Sequence, residues 1–155
     1  MIRRATSADA AAIAALWNPW IADTAITFTT ALKTPEDVAQ MIATRPAFFT
    51  TDDLAGFATY GQFRGGPGYA TCMEHTIILS PAARGRGLGR ALMQAVESHA
   101  AAQGAHQIIG GISAENPDGL RFHAAMGYAE IARVTEAGFK FGRFIDLVLM
   151  RKFLS

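Results

Sequence analysis

The sequence predicts a mixed α/β (α+β) fold, and three observations carry that expectation. The β-branched run Thr76-Ile77-Ile78-Leu79 ends at Ser80-Pro81, as a strand does. A glycine-rich stretch, Arg84-Gly85-Arg86-Gly87-Leu88-Gly89, follows it and feeds a segment of helical period. In that segment Leu88, Leu92, Ala95, Val96 and His99 share one face, and Arg90, Gln94, Glu97 and Ser98 share the other. Segments of both periods alternate along the chain, and no repeat, linker or low-complexity stretch divides them. At 155 residues the expectation is one domain, 1–155, with a core of its own.

Residues 2–5 predict a short strand. Thr6 or Ser7 caps a helix to about Trp17, with Ile13 and Leu16 on its buried side, and Asn18-Pro19 predicts a bend or break. Thr34-Pro35-Glu36-Asp37 starts a second helix: a capping Thr, Pro at the first position and two acids in the first turn. It turns Val38, Met41 and Ile42 inward and stops before Pro46. Phe48-Phe49-Thr50 and Leu54 to Tyr60 flank Asp52-Asp53 as a hairpin. Arg64 to Gly68 is a loop, and Tyr69 to Leu79 one long strand. After the glycine turn and its helix, Gly104 caps and His106 to Ile112 forms a strand. Asn116-Pro117 opens a helix closed by Gly127, and 128–134 with 141–151 form a final strand pair.

Composition narrows the function classes. Half the residues are hydrophobic and 17% are charged, a soluble globular profile. A net charge of +1 gives no electrostatic case for nucleic acid or an anionic membrane surface as partner. No apolar stretch approaches transmembrane length, and the N-terminus lacks a signal-peptide core. The single cysteine, Cys72, rules out an intrachain disulfide and fits a reducing compartment, so the cytoplasm is expected.

The glycine turn is an anion site in outline, because a helix start supplies free backbone N–H groups and two arginines add positive potential. A P-loop would need Lys-Ser or Lys-Thr after the last glycine, and none follows. A dinucleotide fingerprint would need GxGxxG and an acid at the end of the next strand, and 106–112 contains no acid. The pattern R/Q-x-x-G-x-G/A is satisfied by Arg84, Gly87 and Gly89, and the stretch resembles the acetyl-CoA pyrophosphate loop of the GNAT N-acetyltransferase superfamily. Asn116 and the helix ending Met126-Gly127-Tyr128 agree with it. Tyr60 to Arg64, Ala25 to Phe28, Glu74-His75-Thr76 and Lys140 to Leu147 are similar to the phosphinothricin/methionine sulfoximine N-acetyltransferase branch, over nearly the whole chain.

That resemblance implies a central twisted, mostly antiparallel sheet of about six to seven strands flanked by about four helices. It implies transfer of acetyl from acetyl-CoA to the α-amine of a small amino-acid analogue by direct attack in a ternary complex, usually by a homodimer. Phosphate contacts fall on Arg84, Gly85, Arg86, Gly87, Leu88, Gly89 and Arg90. Arg86 stands open between the 3′-phosphate and solvent, and Arg90 between the site and solubility. Asn116 is an N-cap, a cofactor contact or both. Ile77, Ile78 and Leu79 belong to the cofactor side, the backbone of Thr76 to Leu79 pairing with the pantetheine arm and polarising the thioester.

The chemistry itself needs a modest base, since an α-ammonium has a pKa near 8. Glu74 is the candidate, set against a surface carboxylate paired with an arginine. On its strand it shares a face with Cys72, Thr76 and Ile78, while His75 lies with Met73 and Ile77. Arg64, Glu74, His75 and Thr76 form the expected substrate side, with Arg64 first choice for a carboxylate ahead of Arg143 and Lys140. His75 stands equally as a structural histidine. His123 occupies the position where many superfamily members carry a proton-donating Tyr, and is open between acid and mere cofactor contact. Trp17, Trp20, Phe28 and Phe63 wall an apolar pocket or belong to the core, and Tyr128 belongs to core or dimer packing. Rival readings are a Cys72 nucleophile, for which no His–acid partner is assignable, a non-catalytic acyl-CoA sensor, and a GNAT enzyme acting on another amine. The four histidines show no metal-binding spacing.

Overall fold

In the computed structural model, which describes residues 1–155, seven strands form one sheet in the order β1-β2-β3-β4-β5-β7-β6. They are β1 (Ile2–Arg4), β2 (Ala47–Thr51), β3 (Gly56–Gln62), β4 (Cys72–Leu79), β5 (Gln107–Ser113), β6 (Ala129–Lys140) and β7 (Arg143–Phe153). The helices are α1 (Ala10–Asp23), α2 (Pro35–Thr44), α3 (Leu88–Ala102) and α4 (Pro117–Ala125). Every strand pair is antiparallel except β4–β5. The expected sheet size, helix number and mostly antiparallel character all hold.

Each face of the sheet has its own apolar layer. Under α3 and α4 lie Leu92, Met93, Val96, Ile108, Met126 and Val148, and under α1 and α2 lie Ile13, Trp17, Ile21, Val38, Phe48 and Phe57. Phe57 lies between Trp17, tilted 53° to it at a centroid distance of 4.8 Å, and Phe48, stacked on it at 5.2 Å. The α2 start is a capping box: Thr34 Oγ1 accepts from the Asp37 N–H at 3.1 Å, and Asp37 accepts from the Thr34 N–H at 2.9 Å.

Four local expectations need correction. Helix α1 does not break at Asn18-Pro19 but runs through to Asp23. Pro19 is on the exposed face, where water can serve the orphaned carbonyl one turn back, and Asn18 ties the helix to the Lys33 backbone at 2.8 and 2.9 Å. Tyr69 to Thr71 is not strand: Pro67–Tyr69 is a 3-10 turn, and β4 begins at Cys72. Glu97, expected on the solvent face of α3, is buried, because the Tyr128 hydroxyl donates to it at 2.8 Å and Lys152 pairs with it at 2.8 Å. The last hairpin is longer than expected and turns at Phe141-Gly142, both at positive φ. Its first strand bulges between Val134 and Gly138, which hides residues 135–140 from an alternation reading.

What matters for function is where β4 and β5 part. They pair at Cys72↔Gln107, Met73↔Ile108 and Glu74↔Ile109 only. Beyond Glu74, β4 stays bonded to β3 as far as Leu79, and β5 to β7 as far as Ser113. The sheet opens there into a wedge with its apex beside Glu74.

Candidate active site

A cavity of about 880 Å³ runs through this wedge. Glu74 to Pro81 line one wall and Gly111 to Ser113 the other. Arg84, Gly85 and Gly87 to Arg90 line it at the α3 start, with Asn116 and Gly119 of the α4 start; Trp17, Trp20 and Ile26 to Thr29 complete the lining.

The glycine turn has the conformation its sequence demands. Gly85 and Gly87 sit at φ +76 and +74 with open space around them, so backbone conformation and not crowding requires glycine there. Gly89 is glycine for a different reason: a Cβ would meet Leu79 at 3.0 Å and Phe122 at 3.1 Å. Gly87 begins α3 without any side-chain cap, and the first bond reaching back to the turn runs from Ala91 N–H to the Gly87 carbonyl. The amides of Leu88, Gly89 and Arg90 therefore project unpaired from the helix start, which suits an anion. Arg84 stands at this mouth in an exposed ion pair with Asp118 at 2.9 Å, which costs little to exchange for a phosphate. Arg86 turns away instead and pairs with Asp53 at 2.8 Å, outside the cavity lining.

At the apex, Glu74 lies half-buried with no hydrogen bond and no ion pair to any protein group. The paired surface carboxylate is therefore not what the structure contains. Burial pushes its carboxyl above the usual range, and the charge of Arg45 pulls weakly the other way. A Cβ on Gly111 would stand 3.3 Å from Glu74 Oε2, so the glycine leaves room for the carboxylate against β5. The Gly110-Gly111 pair was a usable signal, since glycine inside a strand marks a close approach. Arg45, which reaches across Gly61 toward this site, had no comparable signal.

His75 and His123 also line the cavity. Their imidazoles stack at 5.0 Å and 10°, with Nε2 to Nε2 at 3.1 Å. The Gly119 carbonyl can only accept, so the 2.7 Å contact fixes the His123 proton on Nδ1. His123 Nε2 is then the acceptor for His75 Nε2–H, and His75 Nδ1 is left buried without a partner. Burial drives the His75 pKa down to about 3, with the His123 charge adding to it, and burial also lowers that of His123. Neither ring offers a proton to the cavity, so the geometry does not favour His123 as the acid.

Arg64 is not brought to the cavity: it is exposed and lies over the Tyr69 ring at 5.8 Å. Lys140 and Arg143 do not line it either; Lys140 is buried and donates to the Thr27 carbonyl at 2.8 Å, and Arg143 pairs with Glu115. Thr76, Ile77, Ile78 and Leu79 all line the wall, and Asn116 both caps α4, accepting from the Gly119 N–H at 2.9 Å, and lines the cavity. Of the aromatics, Trp17, Trp20 and Phe28 reach the cavity and Phe63 does not. Tyr128 is core. The Cys72 thiol is pushed up by burial and by Glu74, the opposite of what a nucleophile needs.

The sequence pattern of the acetyltransferase (GNAT) family matches residues 15–128. The chain is 31% identical to an L-methionine sulfoximine/L-methionine sulfone acetyltransferase from Salmonella typhimurium, over 97% of this chain and 92% of that protein. It is 31% identical to a phosphinothricin N-acetyltransferase from Streptomyces coelicolor, over 94% of this chain and 91% of the relative. The solved GNAT superfamily phosphinothricin acetyltransferase from Sinorhizobium meliloti, in complex with acetyl-CoA, superposes with a TM-score of 0.92 at 26% identity, covering 100% of this chain and 88% of that one.

Proposed function

The chain belongs to the GNAT acetyltransferase family, and from that premise we propose that it acetylates the α-amine of a small amino-acid analogue of the methionine sulfoximine, methionine sulfone or phosphinothricin type. One observation carries the reading: a free, half-buried carboxylate at the apex of a wedge whose other end presents unpaired helix amides. The residues fit acetyl-CoA. The amides of Leu88, Gly89 and Arg90, together with Arg84, hold the diphosphate, and the Thr76–Leu79 edge left without a strand partner holds the pantetheine arm. Bound acetyl-CoA supplies an acetyl group activated as a thioester.

The rest is done by the chain. Glu74 takes the proton from the amine, directly or through one water, as the nitrogen forms its bond to the acetyl carbon and the thiolate departs. Its raised pKa makes it a stronger base than an exposed glutamate. Trp20, Ile26, Phe28 and Leu147 add apolar surface to the cavity, and the cavity carries only Glu74 and Asp118 as acids, which disfavours polycationic amines. The working form is a cytoplasmic homodimer without metal, nucleic acid or membrane partner. Exposed Phe139 and Phe144, paired at 5.0 Å on the last hairpin, support the dimer. The test is thiol release from acetyl-CoA across a panel of amines: turnover with methionine sulfoximine, methionine sulfone or phosphinothricin is expected, and turnover confined to polyamines or to no amine overturns the reading.

A further inference from the structure

We propose that the stacked pair His75–His123 is a fixed apolar stop at the apex of the wedge that limits the length of the acyl group the site accepts. The inference rests on the placement of the pantetheine arm along Thr76–Leu79, which directs the acyl end toward Glu74 and the closed part of the β4–β5 ladder. His75 is the first β4 residue beyond that ladder, and Gly110 the first of β5. Both imidazoles lie over Gly110: a Cβ there would stand 2.7 Å from His75 Nε2 and 3.1 Å from the His123 ring, so no space remains beneath them.

The pair cannot retreat from the cavity. The Tyr128 ring meets both imidazoles edge-on, with centroids 5.8 and 5.2 Å away, and its hydroxyl is bonded to the buried Glu97, itself paired with Lys152. Nor can the rings rotate freely, because the Gly119 carbonyl and the Nε2 to Nε2 contact fix both. The buried, unpartnered His75 Nδ1 fits this role: hydrogen bonding alone would not retain an imidazole in a place that leaves one nitrogen unsatisfied, whereas its bulk fills the apex. Other charged groups facing the pair are Glu97 and Lys152, which satisfy each other.

The test compares binding of acetyl-CoA and butyryl-CoA by calorimetry without amine, together with kcat/KM for the two donors. One methylene misfitted in a closed pocket is worth roughly 10–200-fold in selectivity. His75→Ala should therefore narrow the acetyl-over-butyryl preference at least about tenfold in both Kd and kcat/KM. His75→Phe, which keeps the bulk and drops the hydrogen bond, should keep the wild-type preference within about threefold. If His75→Ala does not fold, as judged by its thermal melt, His75→Val is read in its place. An unchanged preference in the small variants, or an equal loss of it in His75→Phe, overturns the proposal. Failure of wild type to bind acetyl-CoA at all would instead overturn the function on which it rests.

Discussion

Replacing Glu74 with glutamine removes the proton acceptor while keeping its shape. The structure fixes what else should change. Glu74 makes no hydrogen bond or ion pair, so no partner is orphaned, and burial already disfavours its charge. Folding stability should therefore hold or rise slightly, and acetyl-CoA affinity should stay within about twofold. Loss of a positioned general base costs on the order of 10²–10⁴ in rate, or about 2.7–5.4 kcal/mol of transition-state stabilisation at 1.36 kcal/mol per tenfold. The pH profile adds a signature. Protonation of the α-amine lowers kcat/KM below about pH 8 in both proteins. The wild-type profile should steepen further as pH drops through a carboxyl pKa above the ordinary glutamate range, because the base becomes protonated; Glu74→Gln should lack that steepening. The assay is thiol release at saturating acetyl-CoA over a pH series, with calorimetric binding and a thermal melt beside it. A Glu74→Gln rate within about threefold of wild type, with an unchanged acid limb, would refute Glu74 as the base.

The two loop arginines should separate: Arg84→Ala weakens acetyl-CoA binding several-fold and flattens its salt dependence, while Arg86→Ala, whose partner is Asp53, changes it less than twofold. Gly87→Ala forces a Cβ into φ +74 and should cost about 1–2 kcal/mol in a denaturant titration, through conformation alone since the surroundings are open. Asp9, held down to about 2 by its hydrogen bond to Arg3, stabilises the fold above the unfolded carboxyl pKa and loses that contribution as pH falls toward 2. Asp9→Asn should cost roughly 1–2 kcal/mol at neutral pH, after discounting for solvent screening of half-exposed Arg3, and should remove part of the acid sensitivity. The imidazoles act in a higher window: an unfolded histidine takes a proton below about 6.5 and burial holds both members of the pair below that, so stability should decline as pH drops below that value. The slope is at most about 1.4 kcal/mol per pH unit for each histidine, and His75→Phe should remove one share of it in pH-dependent melts.

The amino-acid sequence by itself determined the parts whose causes lie within a few residues. The α2 start at Thr34-Pro35-Glu36-Asp37, the glycines that stop α3 and α4, and the Arg84–Gly89 turn are set by capping hydrogen bonds and by φ angles that only neighbouring residues decide. The faces of β4 were legible too, because a strand alternates with period two. Pro19 misled for the same local reason: its effect depends on whether the orphaned carbonyl meets water, which the surrounding packing sets. Tertiary structure alone decided the rest. Glu97 carries the signature of a solvated position and is buried because Tyr128 and Lys152, 31 and 55 residues away, arrive opposite it. Arg64 is adjacent to β3 in sequence yet stays outside the cavity, whereas Arg45 comes to bear on Glu74. His75 and His123, 48 residues apart, meet only because β4 and β5 separate after Glu74 and α4 lies across the gap. Such contacts follow from strand order and from where a ladder ends, and no periodicity along a single segment encodes either.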